Sequence, residues 1–191
     1  MKCILCESYT FTHICTECQN TFLAPSLYKR RLSNGIHVIS FYRYEEIKEL
    51  LFTKHTDIGF YIYTILAKLS FEKFAKEFHT KEKYYAIAID DTITSGYSHT
   101  AILNKHLKTY NIKPLFNQLR ANNSVSYSGQ SKHFREKNPR NFQLQKLKNA
   151  NIILVDDIIT TGSTLTQACL EVQKQNKTVS FCLTLTDVSL K

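Results

Sequence analysis

The segment Val155-Asp156-Asp157-Ile158-Ile159-Thr160-Thr161-Gly162-Ser163-Thr164-Leu165 constrains this chain of 191 residues more than any other. An apolar run, Ile152–Val155, ends in two acids, four hydroxyl side chains and a glycine. Leu165, Ala168, Cys169 and Val172 then keep the i, i+3, i+4, i+7 spacing of a helix. The pattern predicts a buried strand, a polar turn over Asp156–Gly162 and a helix beginning near Ser163. Val179–Leu185 reads as the next strand. The same order stands upstream: Tyr84–Ile89, a polar stretch Asp90–Gly96, a helix over Tyr97–Leu107 and a strand over Pro114–Leu119. Strand–turn–helix–strand twice over implies parallel βαβ units, hence an α/β sheet. Ligands of such sheets bind at the carboxyl ends of the strands, where both polar turns fall.

The second turn offers two kinds of contact. Asp156 and Asp157 leave the strand end together in this reading. They can accept hydrogen bonds from vicinal hydroxyls, as a ribose presents, or neighbour a hydrated Mg²⁺. Thr160, Thr161, Ser163 and Thr164 add hydroxyls, and Gly162 lets backbone approach a ligand closely. The helix start points N–H groups and partial positive charge at the same place, which suits a phosphate. An ordinary Ser/Thr helix cap is the plainer explanation, but a cap does not need four hydroxyls after two acids. No Gly-Lys-Ser/Thr follows, so the segment is not a Walker A loop.

The amino-terminal region has a different chemistry. Cys3-Ile-Leu-Cys6 and Cys15-Thr-Glu-Cys18 stand eight residues apart. Paired knuckles of this kind favour one tetrahedral Zn²⁺ over a redox pair. Zinc on four thiolates would take the formal charge from +9 to about +7. Cys169 and Cys182 sit in apolar patterns and read as core, and His13, between the knuckles, could replace a ligand but reads rather as a surface residue. Residues 1–22 form the finger, 23–37 a basic connector with Lys29-Arg30-Arg31 and a Ser33-Asn34-Gly35 turn, and 38–191 the main domain. Within that domain Val38–Tyr44 suggests a strand, Glu45–Phe52 a helix, and Ile58–Phe78 a longer helix. Arg120–Asn141 is polar and basic, and reads as a long loop or hood. The apolar stretch Ile58–Ala67 is ten residues long, short of the roughly 20 that a membrane span needs. No export signal is visible at Met1–Cys6, so the thiols are expected to stay reduced. The positive balance suits phosphate-rich ligands or nucleic acid, or simply a solvated lysine-rich surface.

Four apolar residues, two acids and Thr160-Thr161-Gly162-Ser163-Thr164 resemble the 5-phosphoribosyl-1-pyrophosphate (PRPP) signature of type I phosphoribosyltransferases. The four-cysteine finger is similar to that of the ComF branch, the competence proteins of bacterial natural transformation. So is Gln130-Ser-Lys-His-Phe-Arg135-Glu-Lys-Asn138-Pro-Arg140-Asn-Phe142, and so is Lys54 after the first helical segment. One stretch departs. Where the family carries Arg-Gly-Phe-Asn-Gln, this chain reads Ser95-Gly96-Tyr97-Ser98-His99, preceded by Asp90 and Asp91. Acids beside a pyrophosphate repel it unless Mg²⁺ intervenes, so the resemblance reaches further for binding than for turnover.

The resemblance implies a type I phosphoribosyltransferase fold with a parallel central sheet, plus the small zinc finger. The loop from Thr160 to Thr164 would hold the 5-phosphate, and Asp156 and Asp157 the ribose hydroxyls. Ser95 and Gly96 would lie on the pyrophosphate side, with Mg²⁺ bridging. Lys132, Arg135 or Arg140 would close over the pyrophosphate. Structural Zn²⁺ would sit on Cys3, Cys6, Cys15 and Cys18. The implied role is DNA uptake, with single-stranded DNA on Lys29, Arg30, Arg31, Lys132, Arg135 and Arg140. Other proteins of the uptake machinery are implied partners. The implied location is cytoplasmic, or peripheral at the inner face of the inner membrane. The alternative is transfer of phosphoribose from PRPP to a base or amine. Of the two acid turns, the second is expected to hold the phosphoribose, because Tyr97 would crowd the first.

Overall fold

Seven strands lie side by side in a computed structural model that describes residues 1–90, 92–93, 96–122, 140–148 and 151–190. They are β1 (Tyr28–Arg31), β2 (His37–Arg43), β3 (Tyr84–Ile89), β4 (Ile112–Ala121), β5 (Phe142–Leu144), β6 (Asn151–Ile159) and β7 (Thr178–Asp187). Their order in the sheet is β1-β2-β7-β6-β3-β4-β5. The five central strands pair in parallel, while β1 and β5 close the two edges antiparallel to β2 and β4. The helices are α1 (Thr16–Phe22), α2 (Tyr44–Leu51), α3 (Asp57–Ala67), α4 (Lys73–Glu77), α5 (His99–Lys105) and α6 (Ser163–Lys174). A π-turn over Lys68–Glu72 joins α3 to α4, so the helix expected from Ile58 to Phe78 is one continuous run.

The apolar pattern sorts the helices into two layers. Ile62, Leu66 and Phe71, with Ile102 and Leu103 of α5, pack against Ile153 and Val155 on one sheet face. Leu165, Ala168, Cys169 and Val172 of α6 pack with Ile152 and Leu154 on the other. Cys169 and Cys182 are fully buried there, as their apolar contexts suggest.

The connections fix where a ligand can sit. From β3 the chain passes through α5 to β4 on one side, and from β6 through α6 to β7 on the other. Since β3 and β6 are neighbours, their carboxyl ends flank the switch point of the sheet, which is where open α/β sheets bind ligands. Three strands are longer than the sequence suggests. β6 runs through both acids to Ile159, β4 runs on through Arg120 and Ala121, and β7 extends at both ends to Thr178–Asp187. The stretch 23–37 also contributes an edge strand, β1, ahead of the expected Ser33-Asn34-Gly35 turn, where Gly35 has φ +84°.

Candidate ligand site at the switch point

The extension of β6 decides where its acids point. Asp156, Ile158 and Ile159 pair with Thr184, Thr186 and Asp187 of β7, so the acids lie within the strand rather than in a turn. Consecutive strand residues face opposite sides of a sheet. The carboxylates therefore do not leave together, as the sequence alone suggests. Asp157 turns to the α3 and α5 face, and Asp156 to the α6 face.

Asp157 is already satisfied by the protein. Lys54 Nζ donates to its Oδ2 at 3.2 Å, and His99 Nε2 lies 3.3 Å from the same oxygen. The Tyr63 hydroxyl stands at 3.5 Å, and the Ile158 N–H donates to Oδ1 at 2.8 Å. Burial opposes ionisation of this acid, but His99 and then Lys54 outweigh it and hold the carboxyl below the usual carboxylate range. Burial, then Asp157, pushes the Tyr63 phenol well up, so it stays a donor. Burial, then Lys54 and His99, lowers His55, which packs edge-on to His99 with ring centroids 6.2 Å apart.

Tyr97 shapes this corner. Its hydroxyl donates to the Lys54 carbonyl at 2.7 Å and approaches that of Thr56 at 3.2 Å. It crosses Gly59 so closely that a Cβ there would meet the Tyr97 hydroxyl and the Thr53 carbonyl. The lysine is thus held from both sides, by its backbone and by its charge. Sequence reasoning singled out Lys54 but missed His99 and Tyr63. A tyrosine inside an apolar helix looks like core, and a histidine after Ser98 looks like a first helical turn.

Asp156 has a different environment. Its Oδ1 accepts from the Asp157 N–H at 2.9 Å, and its side chain is half-buried. Burial, followed by the charge of Asp157, pushes its carboxyl well up, with Arg140 partly offsetting the shift. Beyond Ile159 the chain turns through Thr160 and Thr161 to Gly162. Gly162 adopts φ +80° and starts the twelve-residue α6. Thr161 Oγ1 accepts from the Ser163 N–H at 3.3 Å. The helix thus begins where the sequence places it, with Thr160, Thr161, Ser163 and Thr164 around its first turn.

The first acid turn lies across the switch point. Asp90 ends β3 with φ +50°, and its N–H donates to the Leu119 carbonyl at 3.0 Å. Its carboxylate meets Arg140 Nη1 at 3.2 Å. The Arg140 N–H in turn donates to Gln167 Oε1 of α6 at 3.0 Å. Arg140 therefore connects the two turns: it pairs with Asp90, and Asp156 feels its charge. Gly96 is exposed at φ +79°. Ser95, Asp91, Lys132 and Arg135 lie outside the described residues. Of the basic triplet on β1, Lys29 and Arg31 are exposed and Arg30 is half-buried.

The four cysteines come together. The Sγ atoms of Cys3, Cys6, Cys15 and Cys18 all lie within 4.8 Å of one another, with Cys6 and Cys15 at 3.6 Å. Zn–S bonds of about 2.3 Å in a tetrahedron place sulfurs about 3.8 Å apart, so the donor set fits zinc. The Cys15 N–H donates to Cys3 Sγ at 3.3 Å, as expected around a thiolate cluster. Cys3, Ile14, Cys18 and Leu23 are buried in the same core as Phe41, Tyr42 and Ile62. His13 lies outside that cluster, and its ring packs edge-on to Tyr61 with ring centroids 4.5 Å apart.

No protein-family model and no curated protein matches the chain. Among solved structures, an adenine phosphoribosyltransferase is similar at 16% identity and TM-score 0.44, covering 91% of each chain. The adenine phosphoribosyltransferase of Saccharomyces cerevisiae is similar at 19% identity and TM-score 0.41, covering 89% of this chain and 88% of that one. The orotate phosphoribosyltransferase of Aeropyrum pernix is similar at 16% identity and TM-score 0.40, covering 90% and 80%. The α/β architecture, with its mostly parallel seven-stranded sheet and amino-terminal four-cysteine cluster, rests on the strand pairing itself. No helix among the described residues is long and apolar enough to cross a membrane.

Proposed function

We propose that this chain binds Mg²⁺-PRPP at the carboxyl ends of β3 and β6, and serves natural transformation as a competence protein that also binds single-stranded DNA. The observation that carries the ligand reading is Gly162. A left-handed glycine starts a twelve-residue helix at the switch point, three residues past a strand end that bears acids. Thr160 to Thr164 hold the 5-phosphate in this reading, and Asp156 takes the ribose hydroxyls with Mg²⁺ beside it. Asp157 holds Lys54 and His99 in place. Arg140 and Gly96 belong to the pyrophosphate side, together with Ser95, Lys132 and Arg135. The role in DNA uptake rests on the likeness of the finger and the block from Gln130 to Phe142 to ComF proteins. The net charge of +9 and the exposed Lys29 and Arg31 support contact with a polyanion. A cytoplasmic place at the inner face of the inner membrane, beside other uptake proteins, belongs to the same reading.

The His99–Asp157 pair favours a second reading, phosphoribosyl transfer to a base or amine. A histidine held by a carboxylate can take the proton of such an acceptor, and the sequence alone reveals no such group. Pyrophosphate release from Mg²⁺-PRPP across a panel of bases and amines, beside calorimetric binding, separates the two readings. Binding without release supports the first, release supports the second, and no binding removes both. For DNA, log affinity is expected to fall with log salt at about −0.7 per phosphate contacted. Salt-insensitive binding would remove that part. Elemental analysis is expected to give one zinc per chain. Cys15→Ser is expected to loosen residues 1–22 and also lower the melting temperature of the whole chain, because the finger shares its core with Phe41 and Tyr42.

A further inference from the structure

We infer that Arg30 is a positioning residue for the 160–162 loop: from the edge strand behind the finger, it holds the loop backbone in the shape a phosphate would meet. The inference rests on the ligand reading above and adds the residue that shapes that loop. Arg30 lies 130 residues from Thr160 in sequence, yet its Nη2 donates to the Thr160 carbonyl at 2.7 Å. The rest of its guanidinium is seated on Asp187 at the end of β7. Nη1 donates to Oδ1 at 3.2 Å, and Nε lies 3.2 Å from Oδ2. Nη1 also donates to Ser189 Oγ at 2.9 Å. Asp187 is 2% exposed, and its Oδ1 further accepts from the Ser189 N–H and hydroxyl, each at 2.8 Å. A planar guanidinium paired through Nη1 with a buried carboxylate has its Nη2 edge held in one direction, and here that direction is the loop carbonyl.

A second contact from the same segment bears on the same loop. Leu32, one residue past β1, is buried with Ile159 and Leu165. A Cβ added to Gly162 would stand 2.6 Å from Leu32 Cδ2 and 3.5 Å from Arg30 Nη2. Residues 30 and 32 thus brace the loop at both ends, at Thr160 through a hydrogen bond and at Gly162 through packing. The segment reaches the loop through side chains, because β2 and β7 separate β1 from β6 in the sheet. The guanidinium that the basic triplet offers to nucleic acid in the sequence is spent inside the protein, whereas Lys29 and Arg31 face outward. The plainer role, neutralising Asp187, accounts for the Nε and Nη1 contacts but not for the bond to Thr160.

The test uses the full chain with its metal. Arg30→Ala, Arg30→Lys and the double variant Arg30→Ala with Asp187→Asn are titrated with Mg²⁺-PRPP. Amide hydrogen exchange is followed at residues 160–164, with the exposed Lys81→Ala and Lys108→Ala as controls. The double variant removes both charges and keeps the test open if Arg30→Ala alone fails to fold. Expected are at least tenfold weaker PRPP binding and at least tenfold faster exchange at 160–164 in every Arg30 variant. Lysine should not rescue, since it cannot span Asp187 and Thr160 together. The controls should bind PRPP within twofold of the parent. A melting temperature restored in the double variant without restored PRPP binding separates positioning from charge neutralisation. Parent-like exchange in folded Arg30 variants would overturn the inference. If the parent itself binds no PRPP, the ligand reading fails, and the exchange measurement still decides whether Arg30 shapes the loop.

Discussion

Ile89–Gly96 and Val155–Gly162 match at five of eight positions, yet one leaves the sheet at its first acid and the other carries both acids within a strand. The neighbours make the difference. β7 continues to Asp187 and gives partners to Asp156, Ile158 and Ile159. β3 has no such support. Its pairing with β6 ends at Ala88, and its register against β4 shifts between Ile87 and Ile89, so Asp90 turns away with φ +50°. A local sequence of acids and hydroxyls specifies polarity. The adjacent strand decides whether those acids become a turn or two opposite faces of a sheet.

The largest contrast is expected between the two glycines that close these segments. Both have left-handed φ, so alanine costs about 1–2 kcal/mol at either position. Gly162→Ala must also displace Leu32, whereas a Cβ on Gly96 meets nothing within 4 Å. Gly162→Ala is therefore expected to weaken PRPP binding at least tenfold, and Gly96→Ala less than threefold, by calorimetry. Equal losses would mean that the first turn shapes the ligand site as much as the second.

A smaller contrast separates the two adjacent acids of β6. Asp157 is held below its unfolded value, near 3.9. Its contribution to stability is present above that value and is lost as pH falls below it. Asp157→Asn is expected to lose on the order of 1–3 kcal/mol at neutral pH and to show a shallower acid decline. Asp156 is shifted the other way. It favours the fold only while protonated, so its contribution is full below the unfolded value and disappears as pH rises through the raised folded one. Asp156→Asn is thus expected to be neutral or stabilising at neutral pH, since an amide oxygen can still accept from the Asp157 N–H. Denaturant unfolding at neutral and acid pH gives both signs, and the same sign for both variants would remove the two-faced account. The smallest effect is expected at Asp90. Its pair with Arg140 is partly exposed and asparagine tolerates left-handed φ, so Asp90→Asn should cost under about 1 kcal/mol in a thermal melt.

Much of the fold was legible from residue pattern. Tyr84–Ile89 is a strand as read, and α6 starts at Ser163 as read, because an apolar run and a helical period are local signals. The four-cysteine cluster followed from spacing alone. What stayed hidden depends on distant partners. Nothing near Asp157 in sequence announces Lys54, Tyr63 or His99, which come from 103, 94 and 58 residues away. Arg30 looks like one of three equivalent surface cations until Asp187 and Thr160 are brought beside it. The extension of β6 was hidden too, because two acids and two isoleucines read as a turn unless β7 is known to run alongside.

The central claim is that the second acid segment, not the first, holds the phosphoribose. Calorimetric titration of Mg²⁺-PRPP into Asp156→Ala with Asp157→Ala, and into Asp90→Ala with Asp91→Ala, tests it directly. The account predicts one site in the parent chain, no measurable binding in the first double variant, and a loss of less than about tenfold in the second, since Asp90 is largely occupied by Arg140. Equal loss from both pairs, or two sites per chain, would contradict it.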